Sequence, residues 1–193
     1  KINHFPELES ERLTLRYLTI ADIEFIHGHF SDPEVSRYLL DEDPVSDRGE
    51  AEAIVRHYLN PTDKNFNRWG LMLKSSGRLI GTCGFHKWDQ SHNRAEVGYD
   101  LNPGHWGQGF MKEALSVAFR HAFDQLGLHR IDAMVFEENE RSTGILKSFG
   151  FRREGVLRDY YFQAGKYHDH SIYSLLKTEF ESSKRIPSPG GEG

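Results

Sequence analysis

The chain has 193 residues, 37% hydrophobic and 27% charged, with a formal net charge of −5. That size is most simply one globular domain with a substantial core, and the interspersed charges, without a basic block, argue against a nucleic-acid surface and are compatible with a cationic substrate. No apolar run is long enough to cross a bilayer, no signal-peptide pattern opens the chain, and the single cysteine, Cys83, excludes an internal disulfide framework and fits a reducing cytosol.

The first ten residues show no periodicity, and R-L-T-L-R-Y at 12–17 then alternates as a strand. From Thr19 a helical pattern places Ile20, Ile23, Phe25, Ile26 and Phe30 inward. S-D-P-E-V-S-R-Y-L is a short helix with Pro33 in its first turn, and Ser46 or Asp47 caps another over 48–59. Residues 68–74 and L-I-G-T-C-G-F-H form a hairpin across S-S-G-R. The loop K-W-D-Q-S-H-N leads to a further strand at 94–101, which makes a three-strand meander.

On that strand Ala95, Val97, Tyr99 and Leu101 alternate with Arg94, Glu96 and Asp100. The period then changes to helical, with Met111, Leu115, Ala118 and Ala122 in one stripe. Gly107 and Gly109 remove side chains where this helix starts. The unpaired first-turn amides and the helix dipole there form a seat for a phosphate or pyrophosphate. A strand at 131–136 follows, so a helix separates it from 94–101 and the two are expected to be parallel neighbours in a βαβ unit. A short helix from about Glu140 stops at Gly150, and 151–162 pairs with 166–177 as a hairpin. From Glu181 onward the composition is that of a disordered tail. The expected fold is α/β (an α+β mixed sheet), with about seven mostly antiparallel strands, a central parallel βαβ pair and about four to five helices.

Three segments in order, A-E-V-G-Y-D-L, W-G-Q-G-F with M-K-E-A-L, and N-E-R-S-T-G-I-L-K-S-F-G-F, resemble the GNAT superfamily of N-acetyltransferases. The opening E-S-E-R-L-T-L-R and closing D-H-S-I-Y-S-L-L are similar to its RimJ/RimL branch, which acetylates protein N-termini and related amines. The resemblance spans residues 8–177 and delimits one N-acetyltransferase domain at 8–178, between a short extension at 1–7 and the tail at 179–193.

The resemblance implies acetyl-CoA as cosubstrate and no metal. The turn Trp106, Gly107, Gln108, Gly109, Phe110 and Met111 would hold the coenzyme pyrophosphate, with Trp106 and Met111 departing from the superfamily's usual residues. Asp100 and Leu101 would lie along the pantetheine arm, after a strand bulge for which Gly98 is the expected place. Asn139 would contact the arm or cap its helix, and Lys147 would reach a phosphate or remain solvated. Ser142 matches the serine that faces the coenzyme sulfur, with Tyr160 and Tyr161 ranked below it as proton donors.

Glu96 matches a glutamate that acts as base in RimL-like enzymes, with burial expected to raise its pKa. Its alternative is a structural pair with Arg94, Arg130 or a loop amide. Trp69, Trp88, Phe30 and Tyr38 either wall the acceptor cleft or fill the core. His168 and His170 lack a third ligand and Cys83 lacks a nucleophile's setting, so neither is expected to carry chemistry. The implied reaction is direct transfer in a ternary complex to a protein N-terminal amine, with a small-molecule amine or antibiotic as the alternative acceptor and a non-enzymatic acyl-CoA sensor as the rival reading. No nucleic-acid or membrane partner is expected, a homo-oligomer is compatible with the family, and the expected location is cytoplasmic.

Overall fold

The computed structural model describes residues 1–39 and 43–185. One eight-stranded sheet runs through it in the order β1-β2-β3-β4-β5-β6-β8-β7. The strands are β1 (Leu8–Glu9), β2 (Leu13–Tyr17), β3 (Trp69–Leu73), β4 (Leu79–Asp89), β5 (Arg94–Leu101), β6 (Arg130–Val135), β7 (Arg152–Gln163) and β8 (Lys166–Leu176). Every neighbouring pair is antiparallel except β5 and β6, which are parallel as the intervening helix requires. The helices are α1 (Ile23–Ser31), α2 (Pro33–Ser36), α3 (Arg48–Tyr58), α4 (Phe110–Asp124), α5 (Glu140–Ser148) and α6 (Lys177–Arg185).

The sheet has one strand more than expected because the two-residue β1 is too short to show a period. The segment expected to be a disordered tail opens instead with α6, which carries the chain as far as residue 185; residues 186–193 lie outside the described residues. A 3-10 turn at Ile20–Asp22 precedes α1 and shifts its phase, so Ile20 is 45% exposed while Ile23, Ile26 and Phe30 are buried. Asp47 caps α3 by accepting a hydrogen bond from the Glu50 amide.

Two apolar clusters hold the layers together. The larger joins the sheet to α4, α5 and α6, with Leu115, Phe119 and Phe123 packed over Leu15, Phe85 and Ile131. The smaller lies around α1 and α3, where Ile26 and Phe30 meet Ala51 and Val55. The helical stripe read from the sequence is the buried face of α4.

The feature that makes a site is where pairing stops. β5 and β6 are in register only over Arg94–Glu96 and Arg130–Asp132. Beyond that the strands part, and the rest of β5 has no β6 partner. Gly98 is not the bulge: it pairs regularly with Gly84. The irregularity lies on β4 between His86 and Asp89, where Lys87 takes a positive φ of 51° and the strand runs on through residues read as loop.

Candidate active site

Two cavities meet in the wedge between β5 and β6. The first, about 490 Å³, runs between the end of β5, the turn before α4 and the start of α5, under Glu34, Val35 and Tyr38. The second, about 280 Å³, is lined by Phe30, Tyr58, Arg68, His86, Glu96 and the outer residues of β6. Tyr38, Leu39, Tyr99, Asp100, Asn139 and Ser142 border both.

The turn is built to leave backbone bare. Gly107 and Gly109 have φ of +72° and +79°, a region costly for residues with a Cβ. Gly109 is the N-cap of α4, and its carbonyl accepts the first helical bond, from Glu113. The amides of Phe110, Met111 and Lys112 therefore precede the helical ladder. Arg12, just before β2, staples the turn. Its guanidinium donates to the Gln108 carbonyl at 3.1 Å and to Glu113 at 2.7 Å, and it lies 4.2 Å from the Phe110 ring centroid. The Gln108 amide folds onto the Gly104 carbonyl at 3.2 Å, so its side chain does not line the cavity, whereas Gly107, Gly109, Phe110 and Met111 do. Met111 is largely taken up by the core.

The cations at this cavity are Lys112 and Arg141. The Arg141 guanidinium stacks 3.3 Å above the Trp106 ring, and the Trp106 indole donates to the Leu101 carbonyl at 2.9 Å. Arg141 was not singled out in the sequence; its position one residue before Ser142 in the first turn of α5 was the available signal. Lys147, for which a phosphate contact and a solvated position are the two expectations, sits on the exposed side of α5 and does not line the cavity.

At the junction, the Asn139 side chain caps α5 by accepting from the Ser142 amide at 3.2 Å. The Ser142 hydroxyl lies 2.6 Å from the Tyr99 hydroxyl, and burial pushes the Tyr99 phenol well above its ordinary pKa. In the sequence Tyr99 reads only as an apolar face position. Tyr160 and Tyr161 line neither cavity; the Tyr161 ring instead packs 4.6 Å from that of His170. The Asp100 carboxylate, at the border of both cavities, is engaged by the protein's own groups. It accepts from His29 at 2.5 Å, Arg68 at 3.1 Å, and the Thr82 hydroxyl and amide at 2.7 and 3.1 Å. Burial would raise its pKa, but His29, Arg68 and Thr82 outweigh that and hold it low. Leu101 keeps its place at the cavity wall.

Glu96 is in the second cavity, but its environment differs from the expected one. His86 Nε2 is 3.0 Å from one carboxylate oxygen and Lys87 Nζ is 3.1 Å from the other. Burial alone would raise the Glu96 pKa; these two partners lower it below the ordinary carboxylate value. Its structural partners are thus neither Arg94 nor Arg130.

Phe30 and Tyr38 wall the second cavity, whereas Trp69 and Trp88 belong to the core. Burial pushes the Cys83 thiol far up, which suits a core residue. His170 is buried against Phe136, with ring centroids 4.2 Å apart, and His168 bonds the Gln163 carbonyl at 3.0 Å. Among the described residues no group of three or more His, Cys, Asp or Glu could hold a metal ion, and no helix is long and apolar enough to cross a membrane.

A sheet split beside a glycine turn that starts a helix, with a second cavity reaching the same split, defines a protein that brings an anionic cosubstrate and an acceptor together. The match with known proteins agrees. The acetyltransferase (GNAT) domain model matches residues 12–152. The "Uncharacterized N-acetyltransferase YoaA" of Bacillus subtilis is 42% identical over 173 residues, covering 90% of this chain and 98% of that protein. The "Putative ribosomal N-acetyltransferase YdaF" of the same organism is 30% identical, covering 91% of this chain and 97% of that protein. The crystal structure of spermidine N-acetyltransferase from Vibrio cholerae in complex with CoA and spermine has a TM-score of 0.78 at 27% identity, covering 88% of this chain and 98% of that one. The chain belongs to the GNAT acetyltransferase family and is an acetyl-CoA-dependent N-acetyltransferase.

Proposed function

We propose that the enzyme acetylates the N-terminal α-amine of a protein, as in the RimJ/RimL branch, by direct attack of the amine on acetyl-CoA in a ternary complex. The observation that carries this reading is the junction itself: both cavities reach Tyr99, Asn139 and Ser142, so a donor in one and an amine in the other would meet there. Bound acetyl-CoA supplies the thioester. Gly107, Gly109, Phe110 and Met111 offer the glycine turn and first-turn amides to its pyrophosphate, Lys112 and Arg141 add cationic side chains, and Leu101 lies beside the arm. Ser142, backed by Tyr99, donates a proton toward the departing sulfur. Glu96 serves the deprotonation of the amine at the other side.

An α-amine suits this site because its pKa, about 7.7–8.0, is far closer to neutrality than the roughly 10.4 of an alkylamine. A second reading, a small polyamine, is favoured by the size of the second cavity, about 280 Å³, whose lining includes Tyr38, Tyr58, Phe30 and Glu96. Release of coenzyme thiol from acetyl-CoA, followed across a panel of N-terminal peptides and a panel of polyamines, decides between them. Turnover on peptides and not on polyamines is expected. Binding of acetyl-CoA with turnover on no amine would instead make the protein a sensor.

A further inference from the structure

We infer that His86 is the group that takes the proton from the acceptor amine, and that Glu96 acts through it by holding the imidazole in the accepting tautomer. The inference deepens the proposed acetyl transfer and rests on it.

The argument begins with the bulge in β4. Consecutive residues of a regular strand point to opposite faces. Here Lys87 has a positive φ of 51° and the register shifts after His86, so His86 and Lys87 both reach Glu96. Each carboxylate oxygen has its own partner, at 3.0 and 3.1 Å. A carboxylate so engaged, with a nearby ammonium favouring its charged form, is a poor direct acceptor for a proton.

It is, however, well placed to orient a base. An ionised carboxylate only accepts hydrogen bonds, so His86 Nε2 carries the hydrogen it shares with Glu96. The Nδ1 lone pair is then the basic one, the arrangement a carboxylate imposes on a catalytic imidazole. No hydrogen bond to Nδ1 is made by the other described residues. Gly98, diagonal to His86 on β5, leaves this edge open: a Cβ on it would come within 3.3 Å of His86 Cε1 and 3.8 Å of Nδ1. Gly98 thus keeps bulk off the imidazole rather than bulging the strand. His86 and Glu96 line the same cavity as Ser142, so base and proton donor face one space.

The charged and titratable surroundings come from several elements. Lys87 lies beside His86 on β4, Asp132 on β6 is in register with Glu96, and Arg68 and Asp100 line the same cavity. Tyr160 and Tyr161 on β7 interact electrostatically with Lys87.

The step balances. The ammonium N–H bond breaks and its proton goes to Nδ1; the freed nitrogen pair forms the C–N bond as the thioester C–S bond breaks. As the C–S bond breaks, Ser142 gives its hydroxyl proton to the coenzyme sulfur and regains one from the nitrogen, whose second N–H bond breaks to leave the amide. His86 then returns its proton to solvent.

The test compares wild type with His86→Ala, His86→Gln and Glu96→Gln, measuring acetyl-CoA affinity, amine turnover against pH and melting temperature. His86→Ala is expected to lower kcat by about 100-fold or more, the scale of a lost general base, with acetyl-CoA affinity unchanged. Imidazole added to the buffer should restore at least part of that activity. The acidic limb of kcat/KM should reduce to the ionisation of the amine itself in both His86 variants and should also be displaced in Glu96→Gln, which removes the carboxylate from the imidazole. If His86→Ala fails to fold, His86→Gln, which keeps an amide against Glu96, is read in its place. A folded His86 variant with near wild-type turnover and an intact acidic limb would overturn this role alone. A wild-type enzyme that binds acetyl-CoA but acetylates no amine would overturn the proposed acetyl transfer as well.

Discussion

The hydroxyls of Tyr99 and Ser142 lie 2.6 Å apart and bridge β5 to the first turn of α5 across the mouth of the sheet's split. One residue comes from a strand whose alternation reads as core and the other from a capped helix, and each gives the other its only side-chain hydrogen bond at that point among the described residues. Ser142→Ala should lower kcat by about 100-fold or more, on the scale of general acid catalysis, with little change in KM for acetyl-CoA. Tyr99→Phe should lower it less, since the serine remains. Steady-state kinetics with saturating amine checks both.

Arg141, and not Lys147, is the α5 cation that borders the first cavity, held there by its stack on Trp106. Arg141→Ala should weaken acetyl-CoA binding by about 10-fold, the worth of one charge-assisted contact. Lys147→Ala should leave the affinity within error. Calorimetric titration of acetyl-CoA into each variant separates them.

The turn before α4 depends on Arg12, which is distant in sequence and sits just before β2. Removing that side chain frees the Gln108 carbonyl and leaves Glu113 without its cation. Arg12→Ala is expected to raise the acetyl-CoA dissociation constant by about 5- to 30-fold, roughly 1–2 kcal/mol of lost preorganisation, while kcat at saturation falls little. Equilibrium binding alongside kcat measures the split.

At Gly98 an added methyl would press on the imidazole of His86 at 3.3 Å and on no backbone atom. Because that side chain is partly exposed and can move, Gly98→Ala should cost little stability and yet reduce turnover by about 10-fold or more by displacing it. Paired melting curves and initial rates test this; a large fall in melting temperature with unchanged specific activity would contradict it.

Acid should destabilise the fold in a defined direction. Burial would raise the pKa of Asp22, Glu96 and Glu113, but Arg16 and Thr19, His86 and Lys87, and Arg12 and Ser10 outweigh it and hold them low. With the folded pKa below the unfolded value of about 3.9–4.3, their stabilisation is complete above that value. It is lost as pH falls through it toward the folded pKa. Asp22→Asn should cost about 1–3 kcal/mol at pH 7, because Arg16 then loses a bidentate partner, and should flatten the acid limb. Urea midpoints between pH 7 and pH 3 provide the measurement.

Much of the fold was legible because its elements follow local rules. The alternation of β2, the glycine stops after α4 and α5, and the stripe on α4 each lie within a dozen or so residues of chain, where period and turn chemistry act. What escaped reading was short or out of phase. β1 has two residues, the 3-10 turn before α1 rotated Ile20 outward, and the β4 bulge carried the strand through residues with loop composition.

The candidate site divides along the same line. Sequence alone determined the glycine turn, the capped α5 with Asn139 and Ser142, and the parallel pair that follows from a helix between two strands. These are consequences of φ, of missing side chains and of chain connectivity, which act locally. Only the tertiary structure decided the partners: Tyr99 against Ser142, Arg141 over Trp106, Arg12 on the turn, and Glu96 between His86 and Lys87. Each joins residues through a register, a bulge or a packing angle, and hydrogen bonds and pKa shifts depend on distances of a few ångströms. No spacing along the chain carries that information.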